Sequence, residues 1–331
     1  MKLKSVKLYL KTVLFSTVIM IGGTLFFAYG PVDYFRDIYI TSAMRTMSNK
    51  WLATSFYDEK TILKSLANNI VLEPNQSTEP EKIKTAETPK LSDSDPLAQT
   101  DMTKPYKIID ISGVGYKGHL IAIYEPKKIE LGVTRSLYTL GEKLSPAAKR
   151  EKARFAVNAS GFVDIDGHGN GGTPTGIVIQ NGKIICDPEP GASRSIIGFN
   201  KEGILILEKL SAADAIKKGV TQAVEFGPYL IVNGESAITK GNGGWGTAPR
   251  TAVGQRKDGI VLFLIIDGRQ PTHSVGVTLV DLIEIMKKYG AYNAANLDGG
   301  SSTTLAIEGE LYNKPSTPAG ERYLPNWFMV K

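Results

Sequence analysis

Residues 250–305 read RTAVGQRKDGIVLFLIIDGRQPTHSVGVTLVDLIEIMKKYGAYNAANLDGGSSTTL. Two Asp-Gly pairs, Asp267-Gly268 and Asp298-Gly299, close two apolar runs. Ile260 to Ile266 is unbroken and rich in β-branched residues, the pattern of a strand buried on both faces. Thr278 followed by Asp281 predicts a capping-box start to a helix, with Asp in place of the usual Glu or Gln. Leu279, Leu282, Ile283 and Met286 follow at helical spacing, and Gly290 stops the helix. Ala294 to Leu297 is a second short strand. The reading is an α/β domain with a mixed sheet and a βαβ unit over residues 259–298, its strands parallel and its crossover right-handed. Parallel strands end at one sheet edge, where open α/β sheets bind ligands.

Asp267 and Asp298 therefore form a candidate catalytic pair. Adjacent strands lie about 4.8 Å apart, and strands with one between them about 10 Å. The paired carboxylates of glycosidases fall roughly 5 to 9.5 Å apart. The bland alternative is two turns in which each Asp bonds its own backbone. The turn Gly299-Gly300-Ser301-Ser302 offers successive N–H groups as an anion nest. Arg250 and Arg269 bracket the first strand and Arg194 sits in GASRS, so all three are candidate phosphate ligands.

Other segments add candidates. Phe155-Ala-Val-Asn158 is a strand delivering Asn158 to a turn, and Asn296 precedes the second Asp-Gly. Glu225 stands before Gly227-Pro228 as a third candidate carboxylate. Lys240 to Pro249 is glycine-rich, with Trp245 placed to stack on a sugar or to sit in a loose surface loop. Asp164 to Gly172 alternates Asp as a calcium loop does, but Thr175 stands where an EF-hand needs Glu. No cofactor is required, and a looser site for a divalent cation such as calcium stays open. His119, His168 and His273 have no zinc spacing. Ile177 to Ile185 around Asn181-Gly182 predicts a hairpin.

These pieces carry a resemblance. Asn158 to Phe162, Gly169 to Gly172 with Pro174-Thr175-Gly176, Phe226-Gly227-Pro228, Arg250 to Gly254, Asp267-Gly268-Arg269 and Asn296 to Ser302 occur in one order. Together they resemble the phosphodiester glycosidase family over roughly residues 105–331. The resemblance implies hydrolysis of a sugar-1-phosphodiester and a glycan or glycosyl-phosphate substrate. It tips Asn158 towards a sugar-binding role. It leaves the sugar open, and with it the division of acid and base between Asp267, Asp298 and Glu225.

The formal charge is +6, and Lys2, Lys4, Lys7 and Lys11 supply four of those charges. The remainder is too mildly basic for a general nucleic-acid binder. Thr12 to Tyr29 carries no charge and is near the minimum length of a membrane span. The preceding lysines place the N-terminus in the cytoplasm and the bulk outside, at the plasma membrane. A cleaved signal peptide ending near Ala28-Tyr29-Gly30 is the rival reading. Four parts follow: residues 1–30 as tail and anchor, 31–72 as a helical stalk, 73–104 as a flexible linker, and 105–331 as the glycosidase domain. The linker reading rests on a composition rich in Pro, Ser, Thr, Glu and Lys. Cys186 is the single cysteine, so no intramolecular disulfide forms. The expected substrate is a cell-envelope glycopolymer or exopolysaccharide. Two other readings stand beside it: a serine hydrolase using Ser301 or Ser302, although the turn is not a nucleophile elbow, and an anionic-glycan binding module without turnover.

Overall fold

The computed structural model describes residues 2–74, 76–84, 91–98, 101 and 104–331, with the side chains of residues 2–5, 166 and 238 outside that description. The chain is a mixture of helices and sheets in which sheets dominate. Its centre is a seven-stranded sheet. The middle strands are Ala291–Leu297, Arg250–Arg256, Val261–Ile266 and Tyr116–Ile123, in that spatial order. Every residue of the Val261 strand is buried. Phe263 and Ile265 join Ile121 and Val253 on one face, while Leu262, Leu264 and Ile266 meet Leu279, Leu282 and Met286 of the Leu279–Lys288 helix on the other. Two covered faces require the unbroken apolar run.

The helix has the predicted start. Thr278 accepts from the Asp281 N–H at 3.2 Å, and the Asp281 carboxylate accepts from the Thr278 N–H at 2.9 Å. The hairpin also forms where Asn181-Gly182 predicts it. Gln180 pairs with Lys183, and both turn residues have positive φ.

The sheet corrects the expected connectivity. The two strands flanking the helix do not pair with each other. The Arg250 strand lies between them, antiparallel to both. Every ladder among the described residues is antiparallel, so the sheet is not hydrogen-bonded as a mixed one. The reason is local. Asp258-Gly259 makes a tight turn, with Gly259 at φ 92°, which folds the Arg250 strand back beside the Val261 strand. Its other edge is then taken by the Ala291 strand. Both outer strands still run one way, because each opposes the same neighbour.

Two five-stranded sheets close the other side. One contains Val220–Glu225 and Arg194–Asn200, the other Phe155–Asn158 and Asn326–Val330. Phe199, Val224, Phe155 and Phe328 from these sheets share one core with Phe263.

Helix Lys2–Tyr29 begins the chain, and its portion Val6–Tyr29 is long and apolar enough to cross a membrane. No residue of its most apolar stretch is buried, and Ala28 near its end packs on the helices that follow. Helices Asp33–Met44, Trp51–Thr54 and Glu59–Asn68 follow and pack through Ile40, Ala53 and Ile62.

This segment, expected as a stalk, lies against the domain. Arg45 Nε donates to the Gly244 carbonyl at 3.0 Å, and the Thr247 N–H donates to the Ser42 hydroxyl at 2.9 Å. Asn69 links Asp37 to the Asn242 N–H. The expected flexible linker falls partly outside the described residues. Where described, it is anchored: Ile83 and Leu97 are buried, and Arg256 pairs with Asp95 at 2.9 Å. Its polar composition hid these few apolar anchors, each of which fills a gap on the domain surface.

Candidate active site

The strand edge that carries Asp298 opens into a cavity of about 530 Å³. Asp298, Gly299, Gly300, Ser301 and Ser302 form its floor, with Arg250 and Arg269 beside them. Asp298 is partly buried. Burial pushes its carboxyl up to about 6, against the opposing pull of the Ser302 hydroxyl, the Gly299 N–H and Arg322. Asn158 is fully buried and donates to the Asp298 carbonyl at 2.6 Å. Its own oxygen accepts from Thr251 and from the Thr304 N–H. Asn158 therefore fixes the backbone of Asp298 and does not line the cavity. Asn296 acts similarly, donating to the Gly227 carbonyl at 2.9 Å.

Arg250 is 3% exposed. It donates from Nε to the Val277 carbonyl at 3.2 Å, and from Nη2 to the carbonyls of Trp245 and Gly246 at 2.9 and 2.7 Å. No carboxylate pairs with it among the described residues. Burial brings its guanidinium down to about 9, and the charges of Arg269 and Arg45 press the same way. Arg269 has φ 59° and rests over the turn, where a Cβ added to Gly300 would lie 3.2 Å from Nη2. Gly300, itself at φ 60°, allows that approach. The Arg269 guanidinium makes no hydrogen bond to any described residue. Burial lowers it, with Asp298 opposing. A buried guanidinium such as that of Arg250, without a paired carboxylate, is costly unless an anion arrives.

Arg322 and Asp164 form the opposite wall. Arg322 donates from both terminal nitrogens to the Asp164 carboxylate at 2.8 and 3.0 Å, and reaches Ser301 at 3.3 Å. Burial alone would raise Asp164, but the Arg322 fork and the Gly169 N–H hold it below the usual carboxylate range. The open calcium reading falls on this loop. Its Asp164 is engaged by arginine, the side chain of Asp166 lies outside the described residues, and no three acidic, His or Cys groups cluster for a metal among those described.

Several expected site residues stand elsewhere. Asp267, 3% exposed, accepts from His273 Nε2 at 2.8 Å, Asn313 at 3.0 Å and the Lys314 N–H at 3.2 Å. These bonds tie down the loop after its strand, and Asp267 does not line the cavity. Glu225 accepts from the Ile177 N–H at 3.1 Å and borders a neighbouring cavity. Arg194 pairs with Glu189 away from the site. Part of the expected anion nest in the glycine-serine turn is spent within the fold. Gly300 N–H donates to the Pro249 carbonyl, Ser302 N–H to Gly299 and Thr303 N–H to Gly300, so these donors are already used. Ser302 lies beside Asp298, and among the described residues no histidine lines the cavity to serve as a base for either serine. Trp245 does border the cavity, but with the guanidiniums of Arg45 and Arg250 over its ring at 5.3 and 5.8 Å. Arg322 and Arg45 carried no motif. Only their place in the fold reveals them.

A family model described as phosphodiester glycosidase matches residues 151–331. Human N-acetylglucosamine-1-phosphodiester alpha-N-acetylglucosaminidase is 27% identical over 225 residues, covering 60% of this chain and 41% of its own. The SPbeta prophage-derived uncharacterized protein YomE of Bacillus subtilis (strain 168) is 30% identical over 186 residues, covering 53% of this chain and 27% of its own. The chain thus spans less than half the length of these relatives. Among solved structures, the zebrafish N-acetylglucosamine-1-phosphodiester alpha-N-acetylglucosaminidase catalytic domain, auto-inhibited by its pro-peptide, superposes with a TM-score of 0.57 at 21% identity. That match covers 77% of this chain and 87% of the zebrafish one, and it speaks to the fold. With the family model covering more than half of its length, the chain belongs to the phosphodiester glycosidase family.

Proposed function

We propose that the protein hydrolyses sugar-1-phosphodiester bonds in a cell-envelope glycopolymer or exopolysaccharide. The observation that carries this reading is one cavity holding Arg250 and Arg269, both without a carboxylate partner, beside a carboxyl pushed up to about 6. The phosphate sits on the arginines, and the anomeric carbon faces Asp298. Ionised Asp298 takes a proton from water as the water oxygen attacks that carbon. The bond between the anomeric carbon and the phosphate oxygen breaks, and its electron pair leaves with the phosphate monoester. Phosphate is a good leaving group, so the arginines stabilise its charge and no proton donor is needed. A base of raised pKa is well matched to this task near neutral pH. N-acetylglucosamine is the first sugar to test, since the relatives carry it in their names. Val6–Tyr29 anchors the protein in the plasma membrane, with the residues after it outside the cytoplasm.

The test is release of free N-acetylglucosamine from its methyl phosphodiester by the full-length protein and by Asp298→Asn. Release by the parent and none by the folded variant supports the reading. Binding of the phosphodiester without release by the parent overturns it in favour of a glycan-binding module.

A further inference from the structure

Helix Lys2–Tyr29 does not end in isolation. The Tyr29 hydroxyl donates to the Phe56 carbonyl at 2.9 Å, and the Tyr57 hydroxyl donates to the Ala28 carbonyl at 3.2 Å. The rings of Tyr29 and Tyr57 lie 5.5 Å apart, and those of Phe27 and Phe35 lie 4.7 Å apart, edge to face. Tyr34 meets Phe35 in the same manner at 5.5 Å. The helices that follow are thereby fastened to the last turn of the apolar one. We propose that Tyr29, Tyr34, Phe35 and Phe56 form a docking face for the headgroup layer of a lipid bilayer, and that this face holds the Asp298 cavity beside the membrane surface. The proposal rests on the anchoring by Val6–Tyr29 given above and deepens it, and it does not depend on the hydrolytic reading.

Length sets the depth of these rings. The charge-free run from Thr12 to Tyr29 is about 27 Å of helix, close to the ~30 Å thickness of a hydrocarbon core. With that run across the bilayer, Tyr29 stands at the outer headgroups. Rings in contact with Phe27 and Tyr29 stand there too. Aromatic side chains, tyrosine above all, collect at this depth, where the ring body is in an apolar layer and the hydroxyl finds a partner.

The core of the helical unit lies on another side. Ile40, Ala53 and Ile62 are buried between its helices, and Ser42 and Arg45 hold it to the domain through Thr247 and Gly244. The aromatic side is left bare: Tyr34 is 59% exposed, Phe35 47% and Phe56 56%. Apolar residues exposed singly are ordinary, but a contiguous group marks an interaction surface. This group is continuous with the surface of the apolar helix itself. A fixed height follows. From Phe35 to Arg45 the chain runs about 15 Å as helix. Arg45, Thr46 and Ser48 line the Asp298 cavity. The cavity wall at Arg45 is therefore held near the headgroups, where a flexible stalk would leave its height free. Phosphodiesters fixed at the membrane surface come within its reach.

The experiment uses the full chain in phosphatidylcholine–phosphatidylglycerol vesicles, with Cys186→Ala so that one introduced thiol carries a bimane fluorophore. Met20→Cys places the label within the apolar helix, and Phe56→Cys and Tyr34→Cys place it on the docking face. Lys288→Cys is the control, at the far end of the Leu279–Lys288 helix, whose start lies beside the Val277 carbonyl that binds Arg250. Nitroxides on the lipid headgroup, or shallow or deep in the acyl chain, then read depth. We expect the Met20 label to be quenched most by the deep nitroxide. The labels at positions 34 and 56 should be quenched most by the headgroup or shallow nitroxide, about five-fold more than the Lys288 label. Two positions on the face guard against a local folding failure at either. If the Met20 label is quenched while those at 34 and 56 match Lys288, the face stands off the bilayer and the proposal falls, with the anchoring intact. If the labels at 34 and 56 are shielded from aqueous iodide yet untouched by lipid nitroxides, a protein surface covers them and the proposal falls. If the Met20 label also escapes quenching, anchoring and proposal fall together. Quenching needs no turnover, so failure of the hydrolytic reading is scored separately.

Discussion

Asp267 and Asp298 are the same residue in the same local sequence, each followed by glycine at the end of a buried strand. Their strands run in the same direction, yet the two carboxylates have different fates. Asp267 is enclosed by His273, Asn313 and the Lys314 N–H, which bind it to the following loops. Asp298 is left facing the cavity, and burial raises it to about 6 against the opposing pull of Ser302 and Gly299. An Asp-Gly at a strand end is thus a placement, and the loops around it decide between fastening and chemistry.

The sharpest way to break this contrast is to remove each charge in turn. Asp298→Asn should lower kcat on a sugar-1-phosphodiester by about 10³-fold or more with the fold intact, checked by sugar release alongside circular dichroism. A folded variant with near-parental turnover would remove Asp298 from the reaction.

The arginines sharpen the same side. Arg250→Lys and Arg269→Lys keep a charge but lose the planar fork. Each should cost roughly 10- to 100-fold on the phosphodiester, and clearly less on a sugar carrying a neutral activated leaving group. Equal losses on both substrates would mean that these residues hold the structure or the sugar.

On the other side, Asp267→Ala should cost about 1–3 kcal/mol in chemical denaturation, because buried Asn313 and the part-buried His273 and Lys314 N–H donors lose their acceptor. Activity per folded molecule should stay within a few-fold of the parent. A stable but inactive Asp267→Ala would reverse the assignment.

The smallest effect concerns pH. The folded Asp298 carboxyl is raised above its ordinary 3.8 to about 6, so the native state holds the extra proton between these values. Its ionisation therefore costs stability as pH rises from about 4 to 6. Asp298→Asn should be more stable than the parent above pH 6, by roughly 1–3 kcal/mol, and should lose that advantage below pH 4. Turnover should rise through pH 6 as the base ionises. Denaturant midpoints across pH 4–8, set beside a pH–rate profile, check both signs.

Local signals were legible. The apolar run ending at Ile266, the Thr278–Asp281 cap and the Asn181-Gly182 turn each depend on neighbours in sequence, and each appears where expected. Arg250, Arg269, Asp298 and the glycine-serine turn were also within reach, because strand ends gather at sheet edges. Asn158 was found for a different role: its buried amide fastens the Asp298 carbonyl. The strand order was not legible, since a helix between two strands does not reveal a third strand inserted between them.

By itself, the sequence determined the strand ending at Ile266 and a few others, where the helix after it starts, and that a charge-free apolar helix leads the chain. Those properties follow from periodicity, capping and composition over a few residues. Only the tertiary structure decided that Asp267 is fastened while Asp298 faces a cavity, that Arg322 holds Asp164, and that Arg45 joins Arg250 and Arg269 in the lining of that cavity. The Arg45–Gly244 bond joins positions 199 residues apart. Charge, burial and hydrogen-bond partners at such distances are set by packing, which no local pattern encodes.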